Sequence, residues 1–330
     1  MPCRLLHLAV LALVAGVPAL VGALPSPASA QHAATPHHVG ILTDARAANH
    51  PVVDGLKSGL RDLGLVEGRD VIFDLQLTDA NPDLIASAAD TLVKAGVDVI
   101  VTCGEAATGA AKAATTTVPI VFTLVTDPVA AGFVRTLARP GGNLTGISSL
   151  GTDLVGKRVE ALKALAPGLR RVWAISYDRD AAPTAANPKV HEVSTRFGIE
   201  MVSRNVYTPD ELARVLEGIG SADGLLVPDV AAMDLAAVLL ETSLARHIPA
   251  VFPSELWVSH GGLVSYGADY RAQGTQAARL VGKILRRSRP LDLPVEGPER
   301  IVLAVNLKTA TSFGLTAPRQ MLFQADVIRR

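Results

Sequence analysis

The chain has 330 residues, of which 49% are hydrophobic and 19% charged, with 31 Lys and Arg against 31 Asp and Glu. Such a composition excludes an intrinsically disordered chain and fits about two domains with real cores. Balanced charge with no basic stripe argues against nucleic acid as a partner.

In chain order, Arg4 is the only charge ahead of an apolar run from Leu5 to Leu24, which breaks at Pro25-Ser26-Pro27 and ends at Ala28-Ser29-Ala30. A cationic start, an apolar middle and an Ala-x-Ala end predict a signal peptide over residues 1–30, cleaved after Ala30. A membrane anchor is the competing reading. Pro18 and the small residues from Ala15 to Gly22 weaken a span, and no basic stop-transfer cluster follows. The expected mature protein starts at Gln31, carries one net negative charge and is free in the periplasm, with no Cys near the cut to take a lipid. Cys3 would leave with the leader. Cys103 then stands alone and reads as a small buried strand-end residue. ATP and nicotinamide cofactors are not normally available in that compartment, so kinases and dehydrogenases are disfavoured and no cofactor is expected.

From His38 onward, apolar runs alternate with helix-period segments. Strands are predicted at 38–43, 71–77, 97–102 and 119–125, with helices at 52–63, 82–94 and 106–114 between them; Asn81 suits the N-cap and Pro82 the first turn of the second helix. After Arg139-Pro-Gly-Gly-Asn143, residues 144–150 read as a strand. A second series follows, with strands at 171–177, 199–207, 224–228 and 250–253 and helices at 185–197, 210–219 and 231–247. The tail adds a strand at 263–267, a helix at 270–287, a Pro-rich connector at 290–298 and a strand at 300–305. Continuous apolar strands separated by helices predict an α/β protein of two doubly wound, Rossmann-like parallel-sheet lobes. Pro140-Gly141-Gly142 marks the expected first crossing, and the tail is expected to weave back between the lobes. The first lobe is placed at 37–147 plus 265–290, and the second at 148–264 plus 291–330. Their carboxyl strand ends would then face a shared cleft.

Catalytic motifs are nearly absent. Gly151-Thr-Asp-Leu-Val-Gly156-Lys157-Arg158 has P-loop spacing, but Arg158 cannot hold magnesium as Ser or Thr would. A helix start with Asp153 near its positive end and Lys157 as an ion pair is the plainer reading. His260-Gly261-Gly262 has no nucleophile elbow to serve. His191-Glu192 lacks the second His of a zinc helix, and His37-His38 reads as a flexible tail rather than a metal site. Asn143-Leu-Thr145 matches a glycosylation sequon, which a hinge strand explains better. Neither metal nor catalytic residues are expected, and the chain is not expected to be an enzyme.

What remains is a row of polar residues just after successive strands. Thr43 and Asp44 follow the first; Gly104, Glu105, Ala106 and Ala107 follow the third and open a helix. Thr126 and Asp127 follow the fourth, and Ser148 and Ser149 lie on the crossing strand. In the second lobe Tyr177, Asp178, Asp229, Ser254 and Glu255 hold the corresponding ends. Free amides near Ala106 and Ala107 suit a ligand carboxylate, with a helix-field contribution of roughly 0.3–1 kcal/mol. Asp127 or Asp229 suits an ammonium group. An N-cap role competes at each position.

Several of these residues also carry a family likeness. The stretches Gly55-Leu-Lys-Ser-Gly-Leu-Arg-Asp-Leu-Gly64, Ala114-Thr-Thr-Thr-Val-Pro-Ile-Val-Phe122 and Asp127-Pro-Val-Ala-Ala-Gly-Phe-Val134 are similar to the ABC transporter substrate-binding family that includes tryptophan- and tyrosine-binding proteins. So are Arg139-Pro-Gly-Gly-Asn-Leu-Thr-Gly146, Gly262-Leu-Val-Ser-Tyr-Gly267 and Val305-Asn-Leu-Lys-Thr-Ala310. The resemblance runs from about His38 to Arg329. It implies a type I periplasmic-binding-protein fold with a three-strand hinge. The implied partners are a small solute, an ABC permease with a separate ATPase, and no more of the membrane than that permease. An aromatic amino acid is the best-known ligand, which Tyr177 or Tyr266 would stack on. The other readings are a ligand-sensing partner of a membrane signalling protein and an exported enzyme on the same frame.

Overall fold

The structure is a computed structural model that describes residues 35–44, 49–79, 81–176, 188–227 and 233–330. The expected leader, with its cleavage after Ala30, lies outside these residues. In the first lobe, β1 (His37–Thr43), β2 (Val71–Leu77), β3 (Val99–Cys103), β4 (Ile120–Val125) and β5 (Leu144–Ser148) form one sheet in the order β2-β1-β3-β4-β5, parallel throughout. Its helices are α1 (Pro51–Asp62), α2 (Pro82–Lys94) and α3 (Glu105–Ala114). As the residue types require, Asn81 caps α2 by accepting from the Asp83 and Leu84 amides, with Pro82 in the first turn. His37 and His38 are the first two residues of β1, not a tail, because the His38 amide donates to Asp98 at 2.8 Å and pairing with β2 begins at His37.

The second lobe follows after α4 (Gly151–Leu165). Its strands are β6 (Arg171–Ser176), β7 (Glu200–Asn205), β8 (Asp223–Leu226), β9 (Ala250–Phe252), β10 (Val264–Ala268), β11 (Ile301–Asn306) and β12 (Val327–Arg329), in the order β12-β11-β10-β9-β8-β6-β7. The helices are α5 (Pro188–Phe197), α6 (Pro209–Glu217), α7 (Met233–Arg246), α8 (Glu255–Ser259), α10 (Leu307–Ser312) and α11 (Arg319–Gln324), while α9 (Tyr270–Leu285) belongs elsewhere. The β10–β11 pair is antiparallel, an exception to the expected parallel pattern. No apolar periodicity long enough to notice marks α8, α10, α11 or β12, which sequence reading missed.

Each sheet is covered on both faces. In the first lobe, α1 and α9 bury Val53, Leu56, Leu60 and Val281 against Val39, Val99 and Val121, while α2 and α3 bury Ala89, Leu92 and Ala107 on the opposite side against Leu42, Ile100 and Phe122. In the second, α4 and α5 pack one face around Leu162 and Val190, and α6 and α7 pack the other around Leu216 and Leu239. Burial of this kind contributes roughly 25 cal/mol per Å² of apolar surface.

Three expectations about the crossings are corrected. The Pro140-Gly141-Gly142 turn does not carry the chain between lobes: it precedes β5, which pairs with β4. The first crossing comes after Ser148, where Leu150 takes a left-handed conformation (φ 53°, ψ 29°) as the residue before α4. Residues 265–268 belong to the second sheet, so the return to the first lobe comes at Asp269, with α9 packing along α1. Residues 290–296 then stay with the first lobe. Leu293 and Val295 sit in its cores, the Thr145 hydroxyl donates to the Leu293 carbonyl at 2.8 Å, and Ile147 bridges Glu296. The chain crosses back only on the approach to β11. Pairing with β11 decides the second point, and the apolar Leu293 and Val295 decide the third.

Candidate functional site

Strand order locates the crevice. In the first lobe the chain goes from β1 to β2 on one side and then to β3 on the other, so the carboxyl ends of β1 and β3 diverge there; in the second lobe the same reversal falls between β6 and β8. Open α/β sheets bind ligands at such switch points. The expected residues at the second switch point, Tyr177, Asp178 and Asp229, lie outside the described residues.

At the first switch point the sequence-predicted residues do come together. Thr43 is the fully buried last residue of β1, and Asp44 follows it, half-buried. A Cβ built on Gly104, the residue before α3, would lie 3.7 Å from the Asp44 Oδ2 atom. Burial pushes the Asp44 carboxyl up from 3.8 to about 6, with a smaller opposing effect from its own backbone hydrogen bond. Beneath it, Cys103 ends β3 fully buried, as its apolar setting predicted, and burial pushes its thiol up to about 12. Glu105 begins α3 and accepts from the Thr126 amide at 3.1 Å, tying the ends of β3 and β4. Ala106 is exposed and Ala107 buried. Two carboxyl groups thus flank the start of α3, which disfavours a ligand carboxylate at those amides.

Other predicted residues have structural duties. The Asp127 Oδ1 atom accepts from the Val129 and Ala130 amides at 3.1 and 3.0 Å, which closes a turn and is not the expected helix cap, since among the described residues no helix lies between it and β5. The buried Ser148 hydroxyl reaches the Val125 and Thr126 carbonyls, and Ser149 the Val125 carbonyl, so both hold the first crossing onto β4. Ser254 caps α8 by accepting from the Leu256 amide. Tyr266 is half-buried against the second lobe's core and is paired in register with Leu303. In the near-miss P-loop, Lys157 pairs with Glu160 at 3.0 Å, and the fully buried Arg158 donates from Nε to the Tyr266 carbonyl at 2.8 Å. The Asn143 amide donates to the Thr115 and Val118 carbonyls, which gives the sequon-like residue a purely structural role.

One cavity, of about 120 Å³, draws its walls from both lobes. Pro51 of α1 and Asp269, Tyr270 and Arg271 at the start of α9 come from the first; Ser254, Glu255, Leu256 and Ser259 of α8, with Arg329 of β12, come from the second. Sequence reading found Ser254 and Glu255 but missed the first-lobe wall. His50 stands behind it, stacked on Tyr270 with ring centroids 6.1 Å apart. Its Nδ1 accepts from the Val52 amide, and burial holds its pKa down to about 4 against the nearby Asp54, so the ring is neutral at pH 7. The surprise at His50 is that a histidine caps a helix where Ser, Thr, Asp or Asn is usual. Among the described residues there is no cluster of His, Cys, Asp and Glu able to hold a metal, and no helix long and apolar enough to cross a membrane.

Comparison with known proteins adds a family. A family model for ABC transporter substrate binding proteins matches residues 42–328. A tyrosine-binding protein from Clostridioides difficile is 28% identical over 271 residues, covering 80% of this chain and 78% of its own length. Among solved structures, a conserved domain protein from Vibrio cholerae superposes with a TM-score of 0.78 at 27% identity, covering 89% of this chain and 99% of that one. The ABC domain in complex with L-Trp from Streptococcus pneumonia superposes at 0.77 with 23% identity, over 89% and 100% of the two chains. These neighbours share the two-lobed type I periplasmic-binding-protein fold.

Proposed function

Since the chain belongs to the ABC transporter substrate-binding protein family, whose members are extracytoplasmic solute-binding proteins rather than enzymes, we propose that it captures a small amino acid with an aromatic side chain. In this reading the protein works in the periplasm after loss of its first thirty residues. It delivers its solute to an import permease driven by a separate ATPase. The amino-acid class rests on the tyrosine-binding relative and the L-Trp complex.

The observation that carries the reading is the half-buried Asp44 at the switch point of the first lobe, next to Gly104. A carboxyl group in that place suits the ammonium end of the solute, and Glu105 adds to the negative potential. In this reading the second lobe contributes Ser254 and Glu255, which line the interlobe cavity opposite Pro51 and the start of α9, with Tyr177, Asp178 and Asp229 as further candidates. Thr43, Gly104, Ala106, Ala107, Thr126, Ser148 and Ser149 shape the first-lobe side. Binding closes the lobes about three crossings, because a solute touching both stabilises the closed arrangement over the open one. The permease then reads that arrangement.

Isothermal titration calorimetry with L-Trp and L-Tyr tests this. A dissociation constant near 1 μM, about −8 kcal/mol, is expected. Affinity should fall about tenfold in Asp44→Asn, and should fall in the wild type as the pH drops below 6 and the carboxyl is neutralised. Absence of heat or thermal shift with every aromatic amino acid rejects the solute class. Unchanged affinity in Asp44→Asn rejects the ammonium role alone.

A further inference from the structure

The motif Arg139-Pro-Gly-Gly-Asn143 is not absorbed by the solute cleft. It lies in the segment 126–143 between β4 and β5, at the opposite end of the first-lobe sheet. Leu144 starts β5, Asn143 is tied to the loop that precedes β4, and Lys112 stands in the last turn of α3, which runs against the strands. All three belong to the amino edge, away from Asp44. There the surface holds a groove of about 240 Å³, twice the interlobe cavity. Lys112, Phe133, Arg135, Gly141 and Gly142 line it, and no acidic residue does.

Three features point to a negatively charged occupant. Arg135 is exposed and has no ion-pair partner among the described residues, and its guanidinium stem lies across Gly141, where a Cβ would approach its Nε to 2.8 Å. The Lys112 ammonium donates to the Gly132 carbonyl at 2.6 Å and lies 6.0 Å from the Phe133 ring centroid, which holds a second positive charge over the groove with two N–H groups left to donate. Gly142 is the third. Its φ is not positive and a Cβ there would meet nothing within 4 Å, so neither backbone strain nor packing accounts for a glycine. A glycine in such a place lets a ligand approach the backbone closely.

We propose that this groove is a second binding site, for a phosphate group, held by the Arg135 fork, the Lys112 ammonium and the backbone at Gly141 and Gly142. It is independent of the solute cleft. The group arrives either as free phosphate or as an anionic lipid headgroup.

Titration of the full chain with inorganic phosphate, followed by amide NMR at constant ionic strength against chloride, tests the site. Saturable shifts at Gly141 and Gly142 are expected in the wild type, with at least tenfold weaker binding in Arg135→Gln and in Gly142→Ala. Gly142→Ala should leave the melting temperature unchanged, so lost binding there cannot be put down to unfolding. Sedimentation with phosphatidylglycerol vesicles, with phosphatidylcholine as control, separates the sources: phosphate shifts without vesicle binding assign the free ion, and charge-dependent vesicle binding lost in both variants assigns the headgroup. Shifts that chloride reproduces, or that persist unaltered in both variants, with no charge-dependent vesicle binding, overturn the proposal.

Discussion

The helix pairs α1–α9 and α4–α5 cover equivalent faces of the two sheets but are built on different tolerances. In the second lobe, α4 and α5 are neighbours in sequence, and Gly156 faces a side chain and not backbone, with a Cβ there 3.2 Å from a Val193 methyl. In the first lobe, α1 meets a helix about 220 residues away, as the Thr275–Gly55 contact shows. The two backbones come so close that a Cβ on Gly55 would lie 2.0 Å from the Arg271 carbonyl, and one on Gly274 would lie 2.1 Å from the Val52 carbonyl. A contact at 3.2 Å is relieved by a shift of a few tenths of an ångström, whereas a helix carbonyl about 2 Å away can be cleared only by moving its helix. The first lobe is therefore completed by an element that arrives after the second has been visited, through a contact with no slack. Long-range closure of this sort is also slow to fold.

Substitutions at these glycines give the widest expected contrast. Gly55→Ala or Gly274→Ala should destabilise the protein by about 3 kcal/mol or more, at the top of the overpacking range, and Gly156→Ala by less than about 1 kcal/mol. Thermal and denaturant unfolding measure both. Equal losses would show that α9 can slide along α1 and would dissolve the contrast.

Asp44 is next in size and sharpens the difference at the cleft. Its folded pKa of about 6 lies above the unfolded 3.8, so the neutral form is favoured in the folded state. The stability it contributes is complete below pH 3.8 and is lost as the pH rises through 6, a total of about 3 kcal/mol for a two-unit shift. Asp44→Asn should flatten the stability profile between pH 4 and 6 and raise the melting temperature at pH 7. A profile identical to that of the wild type would mean the carboxyl is solvated. A smaller effect than at Asp44 is expected at Asp127, where loss of the turn hydrogen bonds in Asp127→Ala should cost about 1 kcal/mol and Asp127→Asn should restore most of it. Solute affinity unaffected by either change would confine Asp127 to the turn.

Legibility followed physical range. Asn81, Pro82 and the apolar spacing of 82–94 act within a few residues, and α2 has the bounds they imply. The row Thr43, Asp44, Gly104 and Glu105 was visible because parallel strands put every carboxyl end on one edge. Its chemistry was not. That Asp127 caps a turn while Asp44 lies beside Gly104 depends on loop paths that periodicity does not describe. Tyr266 illustrates the same limit, since alternation along β10 offers two faces and only the packing of α4 and α5 settles which one receives the ring.

Local chemistry in the chain thus determined the alternation of strands and helices and the apolar setting that buries Cys103, both of which depend on near neighbours and side-chain polarity. Tertiary structure alone decided where the chain changes lobes, which carboxylate is desolvated, and that a glycine contact far apart in sequence closes the first lobe. Those outcomes depend on distances between segments that meet only after folding, and no spacing along the chain encodes such a distance.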